Sequence, residues 1–211
     1  VKHQFLDLDC LELDNECCNI LKEHPESSNF NVINDDAITY CKPHENDLLV
    51  STFAHDHIHY DKRFAFASNL FHNMKNGGRY IIGMEVFPYF STENDRRKAL
   101  FKYHNYIIEL ALRDDRVQLS ELENNALKSG LDMVGDFKRH EAMFEEEMES
   151  AGFKLIEKNK MGIPSLIPID NALLFSGFVL CVFSKIIKIS WALMRKYNNP
   201  ELVIGLLSSY V

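Results

Sequence analysis

Residues 46–86 read NDLLVSTFAHDHIHYDKRFAFASNLFHNMKNGGRYIIGMEV. An apolar run, Leu48, Leu49 and Val50, gives way to a polar loop containing His55, His57 and His59. Phe64, Ala67, Leu70, Phe71 and Met74 then recur three or four apart, the period of an amphipathic helix. Asn76-Gly77-Gly78 predicts the stop of that helix, because a glycine just past a helix end takes the left-handed backbone the stop needs. Residues 80–86 predict a second strand. Strand, loop, helix, strand is a βαβ unit, and sheets built from it bind ligands beyond the carboxyl ends of their strands. The stretch therefore supports two site readings, a nucleotide-cofactor crevice and a histidine metal site.

The rest of the chain bounds those readings. A length of 211 residues suits one domain with a substantial core, or a domain with an appendage. With 46% hydrophobic and 26% charged residues, the composition is that of a soluble globular protein. A formal net charge of -8 argues against a nucleic-acid partner, which calls for a basic patch. Cys10, Cys17, Cys18, Cys41 and Cys181 are odd in number and form no CxxC pair, so a reducing, cytoplasmic location is expected. The opening residues lack a basic and then apolar leader. The first residue is Val1 and the first glycine is Gly77. A dinucleotide-type fold places a glycine-rich turn after its first strand, so an N-terminal part is expected to be missing or degenerate.

In chain order, residues 5–13 alternate apolar and acidic, which predicts a half-buried strand. Asp14 follows, then a helix over 15–23, a strand over 30–33 and the turn Asn34-Asp35-Asp36-Ala37. Beyond the opening stretch, helices are expected over 94–113, from Ser120 to about Gly130, and over 138–151. Residues 153–157 predict a strand, 162–168 a loop, and 173–183 a long apolar strand. The expected division is a domain over 1–184 and an apolar tail over 185–211. The tail's uninterrupted apolar part is too short for an easy membrane span, so it is not expected to contact a membrane.

The ordered set of pieces resembles the class I S-adenosylmethionine-dependent methyltransferases over residues 5–183. LELDNE at 11–16 looks like the acidic end of the family's second strand, and NDDAI at 34–38 like the Asp-Ala pair after the third. DLLVSTFAHDHI at 47–58 looks like the fourth strand and its loop. MKNGGRYIIGMEV at 74–86 and EMESAGFKLIEK at 147–158 look like the approaches to the fifth and sixth strands. The resemblance implies an α/β, Rossmann-like three-layer sandwich with a mostly parallel sheet, an antiparallel last strand and a truncation at the first strand. It implies S-adenosylmethionine as cofactor and a small-molecule methyl acceptor. The family's glycine-rich first motif is absent before residue 10, so cofactor binding is expected to be weak or lost. In that fold the first strand lies between the second and the fourth, and its loss leaves a gap in the sheet.

Carried onto this chain, the resemblance gives Asp14 as the acceptor of the ribose hydroxyls, against a plain helix N-cap. Asp36 and Ala37 would meet the adenine, against a solvated acidic turn. Thr52 and Phe53 would line the cofactor, while His55, His57 and Glu85 would face the substrate. His104 is the chosen catalytic base, because an imidazole titrates near neutral pH; otherwise Tyr103-His104 is a satisfied core pair. His104, Glu121, Glu123, Asp136 and Lys138 belong to an insertion expected to cover the substrate pocket. The acidic run Glu141, Glu145, Glu146, Glu147 and Glu149 reads as a solvated helix face. Two alternatives stay open. His55, His57 and His59 would share one face of a continued strand, which suits a metal-dependent hydrolase. Otherwise the histidine loop caps the next helix, with Asp61 as its N-cap. A non-catalytic remnant is the other possibility.

Overall fold

The computed structural model describes residues 7–169 and 172–185. The expected tail, apart from Lys185, and Phe5 and Leu6 of the first alternating run lie outside the described residues. The elements in order are β1 (Asp9–Glu12), α1 (Asn15–Glu23), β2 (Asn31–Asn34), β3 (Asn46–Thr52), α2 (Arg63–Asn73), β4 (Met74–Phe87), α3 (Glu93–Arg113), α4 (Val117–Asp132), β5 (Arg139–His140), α5 (Glu141–Ala151), β6 (Phe153–Ile169) and β7 (Ala172–Lys185). The fold is α/β and Rossmann-like, as expected. β1 pairs parallel with β2, β3 parallel with β4, and β4 parallel with the short β5. β7 runs antiparallel between β4 and β6.

The strands form two sheets rather than one: β1-β2, and β3-β4-β7-β6 with β5 on β4. Among the described residues no strand pairs with the second edge of β3, and Val50 there is 62% exposed. A strand carrying Leu48, Leu49 and Val50 has the composition of a central parallel strand yet lies at an edge.

The main core forms on one face of the larger sheet. Tyr80, Ile82, Met84 and Val86 alternate along β4 and are all buried, the period-two signature of a strand. They pack with Ala67 of α2, Phe144 and Met148 of α5, and Phe183 of β7. Burying a side chain of this size contributes about 1.5–3 kcal/mol relative to leaving it exposed. A second core joins Phe87, the last residue of β4, and Phe90, just past it, to Leu100, Tyr103 and Leu127 of the α3–α4 hairpin. This second core seats the hairpin at the carboxyl end of β4.

Several sequence boundaries move, each for a local reason. α2 ends at Asn73 and β4 starts at once, so the glycine pair is not the helix stop. The β3–β4 register slips between the Asn46–Met74 and Leu48–Arg79 pairs. Gly77 takes a φ of +77° there, and a Cβ on Gly78 would lie 2.7 Å from Met74 Cγ and 3.1 Å from Asp47 O, so the pair accommodates a bulge. α2 has Lys62, not Asp61, at its N-cap. α4 begins before Ser120, whose hydroxyl donates to Val117 O, and ends at Met133 in left-handed backbone rather than at Gly130. Arg139 and His140 form a strand, so α5 starts after them with His140 Nδ1 accepting from Met143 N. The expected 162–168 loop is strand instead, paired with β7 up to Ile169–Ala172. Glu147 departs from the solvated-face reading altogether: it is fully buried.

Candidate active site

The loop after β3 leaves the sheet in two steps. Phe53 sits at φ +58°, an uncommon conformation for a residue with a Cβ, and its N–H donates to Gly83 O of β4 at 2.9 Å. Residues His55–His57 then turn as a short 3₁₀ helix, which breaks the alternation a continued strand would have kept. The three histidines are therefore not brought together. His55 is fully buried, edge-on to Phe66 and Phe144. His57 is exposed and its Nδ1 bonds Gly135 O at 2.6 Å, while His59 Nδ1 pairs with Asp61 at 2.5 Å. Among the described residues no group of three or more His, Cys, Asp or Glu side chains could hold a metal ion, so the hydrolase alternative loses its site. His55 is also corrected as a substrate-rim residue, because it lies inside the domain. Burial holds its imidazole below the usual histidine range against the nearby Glu147, so the ring is neutral.

A second segment, residues 134–140, which ends in β5, is laced to the first. Phe137 N donates to Asp56 O at 2.7 Å, and Tyr60 Oη donates to Lys138 O at 2.5 Å. Arg139, fully buried, donates through Nη1 to His55 O and Phe137 O and through Nη2 to Ile58 O, at 2.7–2.9 Å. Its Nε lies 2.9 Å and 3.0 Å from the two carboxylate oxygens of Glu147.

This lacing gathers a charged cluster beside the carboxyl ends of β3 and β4. Lys138 Nζ lies 2.7 Å from Glu85 Oε2, 3.2 Å from Asp56 Oδ2 and 3.6 Å from Asp136 Oδ1. Tyr103 Oη donates to the other oxygen of Glu85. Asp56 is 1% exposed, while Glu85, Lys138 and Asp136 keep 11–13% of their side-chain surface in solvent. Asp56 Oδ1 and Asp136 Oδ1 are buried without a hydrogen-bond donor. Burial pulls the Lys138 ammonium down, but the three carboxylates outweigh it and hold the amine protonated.

Burial pushes the Asp56 carboxyl from 3.8 up to about 6; Lys138 opposes the rise, and Glu85 and Asp136 add to it. The folded protein thus holds this proton more tightly than the unfolded chain does. The resulting stabilisation is complete below pH 3.8 and is lost as pH rises through 6. The loss amounts to about 2–3 kcal/mol between pH 4 and pH 7.5. Urea unfolding across that range should show this component in the wild-type chain and not in Asp56→Asn. Parallel curves for the two chains would show that Asp56 does not titrate in this window.

The α3–α4 hairpin contributes a second pair. His104 Nδ1 lies 2.8 Å from Glu123 Oε2. His104 is 2% exposed, and its Nε2 is buried without a hydrogen-bond partner beside the rings of Phe87 and Tyr103.

The expected cofactor residues lie at the ends of β1, β2 and β3. Asp14 caps α1, its Oδ1 accepting from Cys17 N at 2.9 Å. Glu12, the last residue of β1, is a further carboxylate at this strand end that the motif match does not single out; its Oε1 accepts from Asp14 N at 2.9 Å. Asp36 Oδ1 accepts from Ile38 N at 2.8 Å, and Ala37 O accepts from Asn69 at 2.9 Å. Both are half-buried, whereas Thr52 and Phe53 are exposed.

The comparisons with known proteins bear on the fold. The chain aligns at a TM-score of 0.55 and 12% identity with a candidate methyltransferase of Bacillus halodurans C-125, covering 85% of this chain and 83% of that one. The fold is the Rossmann-like methyltransferase fold. A candidate sarcosine dimethylglycine methyltransferase of Galdieria sulphuraria aligns at 0.57 and 10% identity, over 85% of this chain and 70% of that one. A TehB-like SAM-dependent methyltransferase of Corynebacterium glutamicum ATCC 13032 aligns at 0.50 and 15% identity, over 85% and 68%. No protein-family model matches the chain, and no curated protein matches it in sequence. At these identities the likeness is one of fold. Among the described residues no helix is long and apolar enough to cross a membrane.

Proposed function

We propose that the chain is an S-adenosylmethionine-dependent methyltransferase acting on a small molecule. The observation that carries the reading is the placement of the Glu85–Lys138–Asp56 cluster at the carboxyl ends of β3 and β4 in a methyltransferase fold. The residues fit the adenosine half of the cofactor. Glu12 and Asp14 offer carboxylates at the end of β1, Asp36 and Ala37 follow β2, and Phe53 stands exposed after β3. When bound, S-adenosylmethionine supplies an activated methyl group. The protein's task is then to orient the acceptor and take its proton. His104 Nε2 is the proposed proton acceptor. With Nδ1 donating to Glu123, Nε2 keeps its lone pair, and the carboxylate stabilises the ring once protonated. His57 and Glu85 remain the proposed substrate contacts, with a cytoplasmic location.

Isothermal titration with S-adenosylmethionine tests the reading. Saturable binding near 0.1–1 mM is expected, or roughly -4 to -5.5 kcal/mol. Micromolar binding would overturn the expected weakness. The absence of binding at several millimolar would remove the enzymatic reading for this chain. Asp14→Asn separates the two roles of that side chain. Asparagine caps a helix as aspartate does, so the melting temperature should hold while cofactor affinity drops several-fold. Unchanged affinity would leave Asp14 a cap alone.

A further inference from the structure

The cluster around Lys138 is over-supplied with negative charge. Asp56, Glu85 and Asp136 surround a single ammonium, while the neighbouring Arg139 is committed to Glu147 and three backbone carbonyls. Two carboxylate oxygens, Asp56 Oδ1 and Asp136 Oδ1, are buried with no donor within hydrogen-bond distance, Lys138 Nζ standing 3.6 Å from the second. A buried acceptor left without a donor is costly, and a site that keeps two of them beside a partly open rim is suited to a ligand that brings donors. Asp56 forms the floor at 1% exposure, and Glu85, Lys138 and Asp136 form the rim.

We propose that this cluster is the acceptor-binding site for a small primary or secondary amine, bound as its ammonium ion with N–H groups directed at Asp56 Oδ1 and Asp136 Oδ1. The inference rests on the methyltransferase reading for its chemistry, but the binding site stands on the cluster alone. An alcohol brings one donor and no charge, so it leaves one orphan acceptor and the excess charge in place. A divalent metal suits the cluster less well. Lys138 already occupies the position between the carboxylates, and the described acidic groups do not form a metal-binding set. Tyr103 and Lys138 fix both oxygens of Glu85, so that carboxylate orients the rim and supplies charge, while the two aspartates supply the acceptors that make no hydrogen bond.

The test compares 2-phenylethylamine with 2-phenylethanol, two probes of the same shape, by ligand-observed NMR on the full chain without cofactor at pH 7.5. The amine should bind at least tenfold more tightly than the alcohol. Asp136→Asn and Glu85→Gln should each weaken the amine by about tenfold and leave the alcohol unchanged. Asp56→Asn should do the same; if that variant fails to fold, the two rim variants decide. Equal binding of amine and alcohol overturns the proposal, as does amine binding that survives both rim substitutions. Stoichiometric Mg²⁺ or Zn²⁺ binding that excludes the amine also overturns it. Amine selectivity without any cofactor binding would remove methyl transfer and keep the site. Cofactor binding without amine selectivity would do the reverse.

Discussion

Replacing Arg139 by alanine should lower the unfolding free energy by about 3–5 kcal/mol, the largest stability loss expected of any single substitution here. The guanidinium is fully buried and its donors reach Glu147, His55 O, Phe137 O and Ile58 O. Removing it leaves the fully buried Glu147 carboxylate with the looser Arg63, whose Nε lies 3.9 Å away, and strands three carbonyls. Arg139→Lys should recover little, because an ammonium cannot meet a carboxylate and three separate carbonyls in the planar fork that arginine presents. The double change Arg139→Met with Glu147→Leu should recover more than the lysine does, since it removes the stranded charge along with its partner. Urea unfolding at pH 7 reads all three. A loss under about 1 kcal/mol for the alanine variant would mean that the two loops are held together by packing, and that the arginine is incidental.

Arg139 also shows where the sequence stops being informative. In sequence it is one basic residue ahead of a helix, and Glu147 is one of five glutamates in an acidic run. Nothing local distinguishes a buried pair from two solvated charges eight residues apart. The pair exists because α5 packs against α2 over the sheet and turns one side of that acidic run inward, where Met148 and Phe144 are also buried. Local signals served better where local physics decides. Helix α1 is found over the residues expected, with Asp14 capping it, because a cap and a short apolar period are properties of ten residues. The glycine pair answers to both local and distant contacts. A Cβ on Gly78 would meet Met74 Cγ and Lys75 O nearby in the chain and also Asp47 O of the neighbouring strand, and that last contact spans 31 positions of chain.

The histidine loop is an intermediate case. Its alternation suited a strand face, but a 3₁₀ turn sends His55 inward and leaves His57 in solvent. The residue that matters for the cluster is Asp56, which the pattern hid between them. Its partners lie near residues 85 and 136–138, so only the lacing of the two loops gives it a role. The strand β3 was legible as a strand from its apolar run at 48–50, but that run reads as a buried central strand, and its edge position with Val50 exposed, among the described residues, depends on which strands pair and not on local sequence.

His104→Ala should reduce methyl transfer to an amine by about 10²- to 10⁴-fold at saturating cofactor and acceptor, with KM for the acceptor unchanged. The size is that of a general base, and the pattern follows from the two sets of residues being distinct. The imidazole is tied to Glu123 through Nδ1, while the acceptor is held by the separate Lys138 cluster, so removing the ring takes away a proton acceptor and not a binding contact. Glu123→Gln should cost much less, since it weakens the stabilisation of the protonated ring without removing it. A stability measurement separates this role from a merely structural one. His104 keeps a buried Nε2 with no hydrogen-bond partner, so a ring without that nitrogen loses no bond there. Glu123 is 22% exposed and can turn to water once its partner is gone. His104→Phe should therefore leave the unfolding free energy within about 1 kcal/mol of wild type, or raise it, while activity is lost. A variant that loses stability and keeps its turnover would make His104 a core residue, and the proton acceptor would then have to be sought in the cluster at Asp56.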